Sequence, residues 1–215
     1  MESFSLRGIL LIPLKEAAEN NFTPASTTGT SVPKDSSMQQ LLNLISTRRS
    51  VRRYTDIDIE ANDLARIVKA GLMAPSSMNS RPWHFIIVEG KDRLEQLSHC
   101  KAAGAAPIAG AKIAIVVTAD ATLSEMWIED SSIAAAYMQL EAEELGLGSC
   151  WIQVRGRLTA DNQLAEDYVQ QMLGIPETVS VECILALGHK NEMPEPHNDE
   201  ELLWERVHIN EWKDK

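Results

Sequence analysis

Apolar residues recur along the chain in two different periods. From Met38 to Thr47, "MQQLLNLIST" sets Leu41, Leu42, Leu44 and Ile45 on a face compatible with a helix. From about Glu60 to Met73, Leu64, Ile67, Val68, Gly71 and Leu72 fall at i, i+3, i+4, i+7 and i+8, a helix with one buried stripe. Pro75 stops it soon after. "HFIIVEG", residues 84–90, reads as a strand, and a short helix follows from about Lys91 to His99. Beyond an Ala/Gly/Pro-rich loop, "KIAIVVTAD" is an almost unbroken apolar run of the kind buried on both faces of a sheet.

Glu125 to Leu145 reads as a long helix whose Ala134, Ala135, Ala136 and Ala142 let another element approach closely. "GLGSCWIQV" turns from that helix into a third strand. Thr159 to Leu173 predicts another helix, closed by Gly174 with Pro176 beyond it, and "VSVECILALG" predicts a fourth strand. The rest is a polar, acidic tail with Leu203, Trp204, Val207 and Trp212 as isolated anchors. There is no internal repeat. Helices and strands mix without strict βαβ alternation, which predicts an α+β fold built in layers.

The N-terminal stretch differs. "NNFTPASTTGTSVPKDSS", residues 20–37, offers almost nothing to bury, so residues 1–37 are expected to form a flexible tail and residues 38–215 the folded domain. The apolar "GILLIPL" nearby is short and holds Pro13, unlike a signal peptide, and no run reaches the roughly 18 apolar residues of a membrane span.

The chain has 215 residues, 44% of them apolar, enough for a real core. Its net charge of −11 argues against a general affinity for nucleic acid or an anionic membrane surface. Cys100, Cys150 and Cys183 are scattered and form no metal-binding or disulfide spacing, which fits a reducing cytoplasm.

Against this acidity, "RRSVRRY" puts Arg48, Arg49, Arg52 and Arg53 within six positions. Arginine forks bind phosphate oxygens in pairs and Ser50 adds a hydroxyl, so a phosphorylated small molecule is one reading and a solvated helix end the other. "PSSMNSRPW" can match the donor and acceptor edge of a heterocycle, or simply be a polar turn. The glycines of "LGLGSCW" follow a helix and precede a strand, the reverse of a dinucleotide fingerprint, so they read as a helix stop. Cys150 with His189 suggests a thiol hydrolase only if the fold joins them. A lone cysteine on an apolar strand is usually a core residue, and His84 and His99 read as structural.

Taken in order, "RRSVRRY", "APSSMNSRPWHF", "ELGLGSCWIQVRGR" and "LALGHK" resemble the FMN-dependent nitroreductase family over about residues 38–209. The resemblance implies a three-layer α+β fold, a central, mostly antiparallel sheet flanked by helices, and an intertwined homodimer with FMN at the interface. Arg48, Arg49, Ser50 and Arg52 would hold the FMN phosphate and ribityl end. Pro75, Ser76, Ser77, Asn79 and Arg81 would come from the second subunit to line the flavin, with Trp83 packed beneath them. Gln153 and Val154 would fall near flavin N5, where a backbone N–H stabilises charge on the reduced ring. Many relatives carry Arg or Lys after the glycine of the last strand. Here "GHKNEMPEPH" leaves Lys190 as the basic candidate to complete the phosphate site.

The implied function is a ping-pong oxidoreductase. NADH or NADPH stacks on the flavin, delivers hydride to N5 and leaves, and a small-molecule electron acceptor such as a nitroaromatic or quinone takes its place. No catalytic triad or metal is implied, and Trp127, Glu129 and Gln153 are candidate substrate-facing residues. The same scaffold is similar to reductive dehalogenases and flavin-fragmenting enzymes, and a non-enzymatic flavin carrier or sensor is a further alternative.

Overall fold

A computed structural model describes residues 40–212, so the expected N-terminal tail lies outside the described residues. The chain divides into two compact units, Gln39–His197 and a second that includes Asn198–Lys215. The larger unit contains helices α1 (Gln40–Thr47), α2 (Ala61–Leu72), α3 (Lys91–Ser98), α4 (Trp127–Glu144) and α5 (Ala165–Leu173). Its strands are β1 (Trp83–Glu89), β2 (Ile113–Asp120), β3 (Leu147–Gln153) and β4 (Val179–His189), in spatial order β1-β2-β4-β3 with every neighbouring pair antiparallel.

The apolar runs of β2 and β4 are explained by what covers them. Ala114, Val116, Ile184 and Ala186 face a cluster with Leu94 and Leu97 of α3 and Val169 of α5. Ile113, Ile115, Val117, Cys183, Leu185 and Leu187 face one with Ile67 of α2 and Ala135, Met138 and Ala142 of α4. Three layers result, with both central strands dry on both faces. Leu64, Ile67, Val68 and Gly71 of the predicted stripe of α2 face α4 and the sheet, whereas Leu72, expected with them, is exposed. At Gly71 a Cβ would sit 2.9 Å from the Met138 side chain, so that glycine sets how closely the two helices pack.

One predicted boundary is corrected. The helix expected from Thr159 begins at Ala165. Thr159 instead closes a turn, its N–H donating to the Gln163 carbonyl at 2.9 Å and its hydroxyl accepting from the Gln163 N–H at 3.1 Å. Asn162 sits at φ 61°, which breaks helical continuation. A threonine that offers the backbone its own partner is a turn former rather than a helix starter here.

Between β3 and β4, Gly148 and Gly188 are directly opposite one another. With neither carrying a side chain, the sheet has a notch, and the segment following α1 lies in it. A Cβ on Gly148 would be 2.6 Å from Val51 Cγ1, and one on Gly188 2.8 Å from the Tyr54 side chain. Ser50 bridges Ser149 and Tyr54 bridges Lys190, so the segment is pinned at both ends.

The described residues of the smaller unit form two short 3-10 turns, Asp199–Glu201 and Trp204–Arg206, the first capped by the Asn198 side chain. The rings of His208 and Trp212 stack with centroids 4.2 Å apart.

Gly188→Ala is expected to lower unfolding free energy by about 1–3 kcal/mol, because a backbone-anchored ring must move to admit the methyl. Urea denaturation measures it, and a change within about 0.5 kcal/mol would mean the notch is not tightly filled.

Candidate active site

The glycine notch determines where the arginines go. Val51 points into the sheet at 1% exposure and its N–H donates to the Ser149 carbonyl at 2.9 Å. Tyr54 donates its hydroxyl hydrogen to the carbonyl of Val51 (2.6 Å) or Ala186 (3.1 Å), and burial pushes its pKa well above the usual 10.0. Along this extended stretch Val51 and Tyr54 lie inward, while Arg52 and Arg53 between them are exposed.

Arg48, Arg49, Ser50 and Arg52 line one cleft of about 540 Å³, completed by Glu192, Met193, Pro194 and His197. These four residues, singled out from the sequence, converge on this cleft. Two of their groups are held from the far wall: Arg49 donates to the Glu195 carbonyl, and the Arg52 N–H donates to the Glu192 carboxylate. Arg53 pairs with Glu192 at 3.8 Å and points away to solvent. Lys190 does not line this cleft; its ammonium donates to Glu143 at 2.7 Å. His197 does line the cleft wall.

β3 is an edge strand, and its parity fixes what it offers beyond Ser149. The Ser149 carbonyl points outward to Val51, so Trp151 and Gln153 also turn their N–H and C=O groups to the outer edge. Val154 has the other parity, and its N–H donates inward to the Glu182 carbonyl at 3.2 Å. Of the two residues singled out, Gln153 therefore presents a backbone donor and Val154 does not. Glu182 is the extra residue of a β-bulge opposite the Val117/Thr118 step. Its carboxylate, 3% exposed, accepts from Arg155 Nε (2.9 Å) and Gln153 Nε2 (3.1 Å), while Gln153 Oε1 accepts from Trp151 (2.9 Å). The side-chain amide of Gln153 is thus fixed from both sides.

The polar loop before β1 carries a different signature. Met78, Asn79 and Arg81 have φ of 50°, 57° and 48°, the left-handed region that non-glycine residues enter at a cost of about 1–3 kcal/mol each. Inside it, Ser76 accepts from the Arg81 N–H at 3.0 Å, and Asn79 accepts from Arg81 Nε at 2.9 Å. Pro75 and Asn79 are exposed, whereas Trp83 is buried at 6% among Ala74 and Ala134, beneath the loop as expected. Asp130, in the first turn of α4, was not singled out from sequence, where an acid at a helix start is ordinary. It is 3% exposed and accepts from the Ser77 N–H at 2.8 Å and the Ser124 hydroxyl at 3.0 Å.

These two polar groups are not together within one chain. Ser149 pairs with Leu187, Leu187 with Ile113, and Ile113 with Glu89, the far end of β1 from Trp83. Six residues along a strand and three strand spacings across give anchor points about 25 Å apart. Trp127 is half-buried and Glu129 exposed at the start of α4, and neither lines the arginine cleft.

The sequence profile of the nitroreductase family matches residues 45–127 and 97–189, spanning the arginine segment, the strained loop and all four strands. The chain belongs to the nitroreductase family. A protein of Archaeoglobus fulgidus with the provisional name NADH dehydrogenase/NAD(P)H nitroreductase is 37% identical over 180 residues, covering 81% of this chain and 100% of that one. Among solved nitroreductases, the FMN-dependent enzyme from Clostridium difficile R20291 is 45% identical with a TM-score of 0.78, covering 80% and 99% of the two chains. The NADPH:FMN oxidoreductase of Vibrio harveyi, solved with NAD+, is 25% identical with a TM-score of 0.69 over 81% and 79%. The structure thus has the three-layer antiparallel architecture expected from the motifs.

Thiol chemistry is not supported. Cys150 is buried, and His189 is spent elsewhere, its Nε2 3.2 Å from the Asp58 carbonyl. Burial raises the Cys150 pKa, with Arg52 and Lys101 pulling the other way, and burial pushes Cys100 up to about 11 and Cys183 well above 9.0. The native thiols are expected to resist a thiol reagent at about pH 8 until the protein unfolds. A thiol that keeps its proton when folded but loses it near pH 9 when unfolded makes stability fall as pH climbs from about 9 towards 11. Thermal melts across that window check the sign, and a flat profile together with rapid native labelling would contradict it.

Proposed function

We propose that this chain is an FMN-dependent, NAD(P)H-using oxidoreductase that works as a homodimer. The observation that carries the reading is the arginine-walled cleft opening beside the free edge of β3. Arg48, Arg49 and Arg52 supply forked donors and Ser50 a hydroxyl, a donor set that fits a phosphomonoester in a cleft of about 540 Å³. His197 on the same wall is the residue to consider in place of Lys190. When bound, FMN supplies the redox chemistry, and the protein supplies binding, orientation and electrostatics.

The chain's own groups have separable roles in this reading. The arginine cleft holds the phosphate end. The Gln153 N–H, turned outward by strand parity, is the backbone donor for negative charge that develops on the ring. Ser76, Ser77, Asn79 and Arg81 offer hydroxyl, amide and guanidinium groups to the ring's polar edge. The Ser149 and Trp83 anchor points are about 25 Å apart in one chain, a separation that favours a second copy bringing its loop to the cleft. Exposed Leu41, Leu42, Leu72, Met73 and Met78 supply apolar surface for that contact.

A donor and an acceptor using one open face in turn would give ping-pong kinetics with nitroaromatics, quinones or similar electron-poor molecules. No helix among the described residues is long and apolar enough to cross a membrane, and three free cysteines suit a reducing cytoplasm.

Arg48→Ala and Arg52→Ala are each expected to weaken FMN binding roughly ten-fold or more, as expected for losing a charge-assisted hydrogen bond of about 1.5–3 kcal/mol. Visible absorbance of the purified variants measures it, and full flavin occupancy in both would refute the phosphate assignment. Bleaching of the wild-type flavin bands by anaerobic NADH or NADPH tests the redox role. Bound flavin that stays oxidised would instead favour a carrier or sensor.

A further inference from the structure

We propose that Asp130 is a positioning residue that sets the Ser76–Arg81 loop in its ligand-binding shape, and through it the affinity for the flavin ring. The inference rests on the flavin reading above and adds a residue outside the binding groups named there. Three observations combine. The loop holds Met78, Asn79 and Arg81 at positive φ, a costly shape that persists only where the surroundings support it. Its own bonds, Asn79 N–H to the Ser76 carbonyl and Ser80 N–H to the Ser77 carbonyl, are short-range turns. The support from another element is Asp130, whose Oδ1 accepts the Ser77 N–H at 2.8 Å while Oδ2 faces the hydroxyls of Ser124 (3.0 Å) and Ser80 (3.5 Å).

A carboxylate is well suited to this place. Every group facing it is a donor or a rotatable hydroxyl, so both oxygens are satisfied without a cationic partner, and the N–H bond gains from the acceptor's charge. Because Asp130 sits in the first turn of α4, it fixes the loop relative to a helix packed on the sheet. The carboxylate touches no proposed ligand atom. It acts by holding the loop that does.

The test compares FMN and riboflavin, which share the ring but not the phosphate. Dissociation constants from flavin fluorescence are measured for wild type, Asp130→Ala, Asp130→Asn and Asp130→Glu, with Arg48→Ala as the contrast. Asp130→Ala and Asp130→Glu are expected to weaken both flavins by a similar factor, about ten-fold or more, leaving the FMN-to-riboflavin ratio unchanged. Asp130→Asn keeps an acceptor for Ser77 and can donate to the rotatable hydroxyls, so it is expected to stay within about three-fold of wild type. Arg48→Ala should change the ratio instead.

Hydrogen exchange of residues 76–81, measured without added flavin, should quicken in Asp130→Ala and Asp130→Glu but not in Asp130→Asn. A general loss of stability would quicken exchange throughout the sheet and would not track with ring affinity. If Asp130→Ala fails to fold, Asp130→Glu decides. Unchanged affinity for both flavins with unchanged loop exchange overturns the proposal. If wild type binds neither flavin, the flavin reading fails and the inference built on it falls, while the exchange data still report whether Asp130 holds the loop.

Discussion

The arginine cleft depends on an absence of atoms. Gly148 and Gly188 face each other across β3 and β4, and Val51 and Tyr54 fill the space their missing side chains leave. That contact converts a flexible stretch between two helices into a rigid rail bonded to Ser149 and His189. Arg48, Arg49 and Arg52 then project from fixed backbone. In a chain of net charge −11 the cluster would otherwise be free to fold back onto neighbouring carboxylates. Glu192 does reach it, but through the backbone N–H groups of Arg52 and Arg53 and a long pair to Arg53, leaving the forks of Arg48 and Arg52 facing the cleft.

At the opposite corner of the sheet the problem is reversed. There the backbone is strained rather than seated, and a buried carboxylate holds it. Each corner is supported from the layer beneath, one by paired glycines in the sheet and the other by the first turn of α4. The sheet keeps the two apart, which makes the separation a built property of the fold rather than a matter of loop placement.

Much of the layered fold was legible because its signals are local. The stripe of α2, the apolar run of β2 and the stop at Gly174 each express a rule that operates within a few residues. The arginine cluster and the Ser-Asn loop were legible for the same reason. What escaped were residues whose meaning depends on a partner far along the chain. Gly148 read as part of a helix stop, a role that belongs to Gly146 at φ 74°, because its approach to Val51 exists only after β3 pairs with β4. Neither Asp130, an acid at a helix start, nor Glu182, within the predicted fourth strand, was singled out. Lys190 stood out as a basic residue after the last strand's glycine, whereas its pairing with Glu143, 47 positions earlier, is visible only in the fold. Thr159 misled in the other direction, since its turn is local but competes with an equally local helical pattern.

The bulge at Glu182 has a consequence for how the outer strand ends. By drawing the N–H groups of both Val154 and Arg155 onto one carbonyl, it terminates β3 directly after Gln153, while the bridge to Ser50 covers it up to Ser149. Between these two stops the exposed rim amounts to the outward amides of Trp151 and Gln153. An edge of that kind is long enough to grip a flat molecule and too short to template another strand. The boundary that defines the proposed binding surface therefore also guards this edge of the sheet against pairing with another strand.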